Sequence, residues 1–424
     1  MRERIIAVIL VILIFSCKTV DNKKDISDEI AARSERENRI YEIDIDVVDG
    51  ESYVLVDSEL IGETPVKRNL YEGVYDVVLK RENYPDQICR LEVNSSRKYL
   101  FRHNKYPTPV KEIGVFGCGS QPKQVIFSPD DKFIYIPLLD DTGFQVFSME
   151  DMKIVDFVNP PDPKHRKGYP EGLFVKNTGS FYISQMSGNV YEYGYPELVY
   201  RRTVPTGGLW SKFITYSSAM NCLAVSNWSS NNVSIIDSVT GKLLRLIKTP
   251  ASPRGLAFSS DDRYFYITSF DGGKIMKVDT GKWAVSGTIY VANAAMRHIV
   301  IAGGDREAFV SDMYHAKIYD VNLEKFNIVK SYSVDYNPNT IDLTPDGKYL
   351  FVSSRGPNNA ESYLKRSPRN GMISVIDVVN SKKLSAFEGG RQPTGLDVSN
   401  NGKYLCFSNF QDNNIEIYWI GDLR

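Results

Sequence analysis

Ten residues of this chain combine useful chemistry with a recurring place in the sequence. Lys123, Glu171, Arg254, Arg297 and Asn339 each stand one residue into a short β-rich run, after Pro122, Pro170, Pro253, Met296 and Pro338; Ser211 and Thr394 take the same place after Trp210 and Pro393. The following run ends on a polar residue and then, in most cases, a large apolar one: Gln185-Met186, Asn227-Trp228, Ser269-Phe270, Asp312-Met313, Ser354-Arg355 and Asn409-Phe410. Arginine offers a planar fork suited to carboxylate or phosphate, and lysine a mobile point charge. Trp228, Phe270 and Phe410 offer apolar faces to a sugar ring or peptide. Glu171, Asn227, Asp312 and Asn409 are hard oxygen donors of the kind that bind calcium. They carry the rival expectation, a metal-assisted, lactonase-like hydrolase.

Other enzyme signals are missing. His103, His165, His298 and His315 show neither HxH nor HExxH spacing, and no GxSxG elbow occurs. Cys89, Cys118, Cys222 and Cys406 form no CxxC or CxxCH pattern, and Cys222 and Cys406 sit in apolar runs that suit buried thiols. We therefore expect no catalytic residue, no metal and no cofactor. The net charge of −1 excludes a polyanion-binding surface over the whole molecule, so no nucleic-acid partner is expected and any charge effect must be local.

The elements that must gather these residues are repeated. Residues 252–282 hold two apolar runs joined by Ser259-Ser260-Asp261-Asp262, a loop at Asp271-Gly272-Gly273 and a third run ending at Asp279-Thr280-Gly281. That is a meander of antiparallel strands. Related text starts at Pro122, Pro170, Trp210, Pro253, Met296, Pro338 and Pro393, with spacings from 40 residues (Pro170 to Trp210) to 55 (Pro338 to Pro393). Seven units of that size predict a seven-bladed β-propeller, all-β in class. Turns such as Ser128-Pro129-Asp130-Asp131-Lys132 and Thr344-Pro345-Asp346-Gly347-Lys348, with third runs such as Val233-Ser234-Ile235-Ile236-Asp237, resemble the YVTN family of bacterial propellers, related in architecture to WD repeats. Resemblance extends from residue 110 to 424 and is weaker in units two and five.

The last unit ends at its third strand. Residues 111–116 are expected to supply the fourth and close the ring. In a propeller the two sets of residues named above emerge on one face, at the mouth of the central channel. Unit six carries an insertion, residues 355–370, on that face, with Arg355, Lys365, Arg366 and Arg369. Loops of that length are functional or disordered.

Four segments precede the ring. Arg2 and Arg4 lead an apolar run, residues 5–15, too short to span a bilayer. With Ile14-Phe15-Ser16-Cys17 it resembles a bacterial lipoprotein signal, residues 1–16, with lipidation expected at Cys17 and a polar tether at 17–42. Residues 43–103 carry Val-Asp at 56–57, Ile-Gly at 61–62, Thr-Pro-Val at 64–66 and Tyr71-Glu72-Gly73-Val74, and resemble the PEGA domain, a small β-sandwich of bacterial surface proteins. Residues 104–109, with Tyr106-Pro107-Thr108-Pro109, read as a stiff linker. The expectation is a monomeric, membrane-anchored envelope lipoprotein, in the outer or inner membrane. It would bind an anionic glycan, peptidoglycan or protein without catalysis; a purely structural surface protein is the further alternative.

Overall fold

The computed structural model describes residues 39–423, so the signal, Cys17 and nearly all of the tether lie outside the described residues. Among the described residues the only helical turn is the 3-10 turn Lys176–Thr178. Everything else that is regular is β-structure, consistent with a sequence rich in Tyr, Phe, Val and Ile.

The small N-terminal domain is a two-layer sandwich. One layer orders Val66–Tyr71, Ile40–Val47 and Arg97–Phe101; the other contains Glu59–Glu63, Tyr53–Val56, Gly73–Lys80 and Gln87–Val93. Burial alternates along these strands, as in Gln87–Val93, so each layer turns one face inward. Ile43, Ile45, Val54, Val77, Leu79, Leu91 and Phe101, all fully buried, fill the space between them. The first strand begins at Ile40, earlier than the sequence boundary at residue 43, because Ile40 already pairs with Tyr71.

Seven four-stranded blades follow. Six are complete in chain order, and the seventh combines Pro393–Val398, Tyr404–Asn409 and Asn414–Trp419 with Lys111–Gly117. In that last ladder Trp419 faces Lys111 and Ile415 faces Phe116. The first and last strands of the propeller thus pair in one blade, and the sheet edge is removed. Second strands such as Tyr349–Ser354 and Ser180–Gln185 are buried at every position, since each blade is covered on both faces by its neighbours. Between the first two blades lies an aromatic cluster of Tyr135, Phe144, Phe181 and Tyr193. Each such ring contributes about 1.5–3 kcal/mol by burial.

The stretch 104–109 is tied down at its first residue, although Lys105, Tyr106, Pro107 and Pro109 are exposed. Asn104 is fully buried; its backbone N–H donates to Gln87 Oε1 at 2.7 Å and its Oδ1 accepts from the Glu388 N–H. Gln87–Val93 lies parallel to Lys111–Gly117 through the pair Cys89 and Glu112, so one eight-stranded sheet runs from the sandwich into the seventh blade. Cys89, Cys222 and Cys406 are buried free thiols.

Candidate functional site

The innermost strands of five blades share one irregularity. Pro253 pairs with Ser269 and Leu256 with Ile267, so Arg254 and Gly255 together face the single residue Thr268. The same slip recurs in the inner strands starting at Ser211, Met296, Pro338 and Pro393. A bulge of this kind re-aims the residue it carries. These registers place Ser211, not Trp210, opposite Asn227 and therefore level with Pro253. The residue equivalent to Arg254 in blade three is thus Lys212, one position beyond the sequence alignment. The seven equivalent positions are Lys123, Glu171, Lys212, Arg254, Arg297, Asn339 and Thr394.

A relay of hydroxyls holds this ring. Thr268 Oγ1 accepts the Gly255 N–H at 2.8 Å and donates to the Arg297 carbonyl of the next blade at 3.4 Å. Ser226 does the same between Phe213 and Arg254, Ser311 between His298 and Asn339, and Ser353 between Thr340 and Thr394. Ser184 donates to the Lys212 carbonyl at 2.6 Å, and Ser408 to Pro122 at 3.1 Å across the ring closure. All but Ser184 satisfy a bulge amide, Ser408 that of Gly395, and each fixes the neighbouring blade's backbone at its ring residue or, for Ser408, one residue before it. Glycine completes the packing: a Cβ on Gly395 would stand 2.4 Å from Gln124 Cα, and one on Gly255 2.9 Å from the Arg297 carbonyl oxygen.

Above the ring opens a cavity of about 740 Å³. Lys123, Lys212, Arg254, Arg297 and Arg355 line it, and all but Lys212 are less than a tenth exposed. Trp228, Phe270 and Phe410 line it from the second-strand ends, joined by Leu139 and Met313. Trp228 and Phe270 pack with centroids 4.8 Å apart, and the Arg355 guanidinium lies 4.9 Å from the Phe410 centroid. At the same second-strand position Arg355 replaces an apolar residue with a cation, and its Nε donates to Thr394 Oγ1 at 3.0 Å.

The only carboxylate at the ring positions is Glu171, which pairs with Arg254 Nη2. Arg254 Nη1 and Asn339 Nδ2 are buried with no partner among the described residues. Burial, reinforced by Arg254 and Arg297, pushes the Lys212 ammonium down to about 7. Burial with the surrounding arginines drives Lys123 well below the usual lysine range. Burial and then Arg254 depress Arg297, and burial takes Arg355 down to about 10. His298, beside Arg297, is pushed to about 3 by burial and the same arginines, and its imidazole is neutral. Five cations thus share a space with Glu171 at the ring and Asp271 in the wall, and Lys123, Lys212, Arg297 and Arg355 are held below their usual ranges, an arrangement found where a protein binds an anion.

Further along the same inner strands the sign reverses. A second cavity, about 500 Å³, is lined in part by Asp342 and Asp397. Asp397 accepts from the Phe127 N–H and Asp342 from the Val398 N–H.

Of the ten sequence candidates, Lys123, Arg254, Arg297, Trp228 and Arg355 line the upper cavity; Glu171 reaches it by pairing with Arg254, and Asn339 lies in its ring. Asn227, Asp312 and Asn409 do not line it. Asn227 bonds Ser211, Asn232 and Ser234; Asp312 bonds the Ala295 N–H, His315 and Tyr319; Asn409 bonds the Gly390 N–H, Asn414 and Glu416. They lock the loops after the second strands. The four proposed oxygen donors are therefore not gathered on one ion, and among the described residues no group of three His, Cys, Asp or Glu is placed to hold a metal.

Fold and site together define a seven-bladed β-propeller that carries a basic cavity with an apolar collar on one face and a fused β-sandwich beside its closing blade. The chain belongs to the YNCE-like β-propeller family, whose model matches residues 106–397, and it carries a PEGA domain at residues 40–104. It is 36% identical over 315 residues to Antigen Lp49 of Leptospira interrogans serogroup Icterohaemorrhagiae serovar copenhageni (strain Fiocruz L1-130), a match spanning 72% of this chain and 69% of that protein. Among solved structures it resembles Kuenenia stuttgartiensis hydrazine synthase, with a TM-score of 0.61 and 15% identity over 74% of this chain and 97% of the other, a likeness of fold alone.

Proposed function

We propose that this protein is a non-enzymatic binding protein of the bacterial cell envelope, held to a membrane by lipid on Cys17, and that its propeller cavity takes an anionic ligand. An acidic glycan, a peptidoglycan fragment or an acidic peptide segment would fit. One observation carries the proposal: five cations converge on the cavity against two carboxylates, Glu171 in the ring and Asp271 in the wall, with one guanidinium nitrogen buried and unpartnered. A relative named as an antigen supports the envelope setting, and no helix among the described residues is long and apolar enough to cross a membrane. Anchoring would then rest on the lipid chains.

The test substitutes Lys212→Met and Arg297→Met together. Arg254 is left in place because its loss would strand Glu171. The double variant should hold acidic glycan and peptidoglycan fragments at least roughly tenfold more weakly in low salt, and the difference should shrink as salt screens the charges. Equal retention by parent and variant refutes the cavity as the binding site. For the anchor, Cys17→Ser should leave unprocessed precursor and release protein from membranes; unchanged processing and fractionation refute it.

A further inference from the structure

The geometry around the cations narrows the ligand. They come from blades one, three, four, five and six, and so approach the axis from all round the ring. A planar carboxylate is satisfied by one guanidinium fork, as Glu171 already engages one arm of Arg254. A tetrahedral oxyanion presents oxygens in several directions at once and takes donors from several sides. The unpartnered Arg254 Nη1 and the amide of Asn339 add uncommitted donors at the same level.

The cavity is also partly covered. The insertion of blade six roofs it with Asn358, Tyr363 and Leu364. That roof is fixed. Gln392 Nε2 donates to the Tyr363 carbonyl at 2.8 Å, Gln411 bonds both Ser367 and Lys365, and Arg369 forks onto Asp335 from the loop before the blade. Below the ring, Asp342 and Asp397 line the channel and oppose passage of an anion. The site is therefore a dead end with a basic floor and an aromatic wall.

We propose that the cavity binds a small phosphate monoester, its dianionic head among Lys123, Lys212, Arg254 and Arg297 and an apolar or aromatic body against Trp228 and Phe270. This rests on the anion-binding function proposed above and specifies the anion. Two sources carry such a phosphate, a free metabolite and the exposed end of an envelope molecule. Both present the same chemistry, and a soluble ester competing with envelope fragments for the full chain tells them apart.

Titration calorimetry of the full chain in detergent, at low salt and pH 7, would use phenyl phosphate, inorganic phosphate, phenylacetate and benzene-1,3,5-tricarboxylate. Phenyl phosphate should bind at least about tenfold more tightly than each of the others. Lys212→Met/Arg297→Met should abolish that preference while still melting cooperatively; if the double variant does not fold, Lys212→Met alone should weaken phenyl phosphate by roughly tenfold. A tricarboxylate that binds as tightly as phenyl phosphate overturns the phosphate assignment and leaves anion binding standing. If none of the four anions binds, the phosphate assignment fails, and the retention of acidic glycan and peptidoglycan fragments by parent and double variant decides the anion-binding function separately. Unchanged phenyl phosphate affinity in a folded variant places the ligand elsewhere and overturns the site.

Discussion

Two buried charge clusters in this molecule use the same side chains to opposite ends. At the joint between sandwich and propeller, Arg102 is buried against Glu112 and Glu416, both fully buried. Its Nε donates to Glu416 at 2.9 Å, its backbone N–H to Glu112 at 2.9 Å, and Gln87 Nε2 donates to both Glu112 and the Arg102 carbonyl. Despite the burial cost, the neighbouring carboxylates hold the Arg102 guanidinium above its usual range. At the channel, burial pushes Arg297 down, and its neighbours Arg254 and Arg355 add to that shift instead of reversing it. Burial alone does not distinguish structure from function. The sign and the bonding of the neighbours do. A charge whose partners are supplied by the fold holds the fold together, whereas one surrounded by like charges stands ready for a partner from outside.

Breaking the joint should have the largest effect. Arg102→Ala leaves Glu112 and Glu416 buried without their cation and should cost about 3–5 kcal/mol. Urea unfolding would measure it, and a loss under about 1 kcal/mol would show the joint to be no more than a surface ion pair.

The ring should respond with the opposite sign. Arg297→Met removes a desolvated charge from among like charges and should stabilise the unliganded protein by about 0.5–2 kcal/mol while weakening anion binding. For Lys212 the linkage runs the same way: its folded-state value lies below that of the unfolded chain. Its charge therefore costs stability fully below about pH 7, and the cost recedes as pH rises toward the ordinary lysine value. Lys212→Met should accordingly gain more at pH 6.5 than at pH 10, as read from melting temperatures; an equal gain at both would break the contrast.

Asp342 and Asp397 give the smallest and sharpest test. Their carboxyls lie together but each accepts a backbone N–H, which sets them between the two clusters. Burial raises Asp342 to about 6, and burial with Asp342 raises Asp397. A carboxyl raised on folding contributes stability that is fully present below its unfolded value and is lost as pH rises through its folded value. Asp397→Asn should flatten the decline in melting temperature between about pH 4 and 7. An unchanged pH profile would mean the pair is not shielded.

Much of the ring was legible because its chemistry is repeated. The Ser-Pro-Asp turns, the period and the apolar second strands follow from local pattern, and residues 111–116 read as the missing strand because the last unit is one strand short. Lys212 was not legible. Trp210 stands where the six other units have proline or methionine, and only the ladder that pairs Ser211 with Asn227 shows the one-residue offset. The hydroxyls Ser226, Thr268, Ser311, Ser353 and Ser408 were visible as a recurring small polar residue one place before each second-strand end, but their partners lie one blade away. Asn227, Asp312 and Asn409 misled for a related reason: a polar residue at a channel-side strand end looks the same whether it faces the ligand space or its own loop.

The sequence by itself determined the strands, their period, the number of repeats and the kinds of charge available at each inner strand, because these depend on residues close together in the chain. Only the tertiary structure decided which charges meet. Lys123 and Arg355 belong to units far apart in sequence and share one cavity, while Arg102 finds Glu416 across almost the whole chain. Whether a buried charge is answered depends on which backbone slips, which glycine lets two strands touch and which blade closes the circle. Those are properties of the assembled ring and are written in no single repeat.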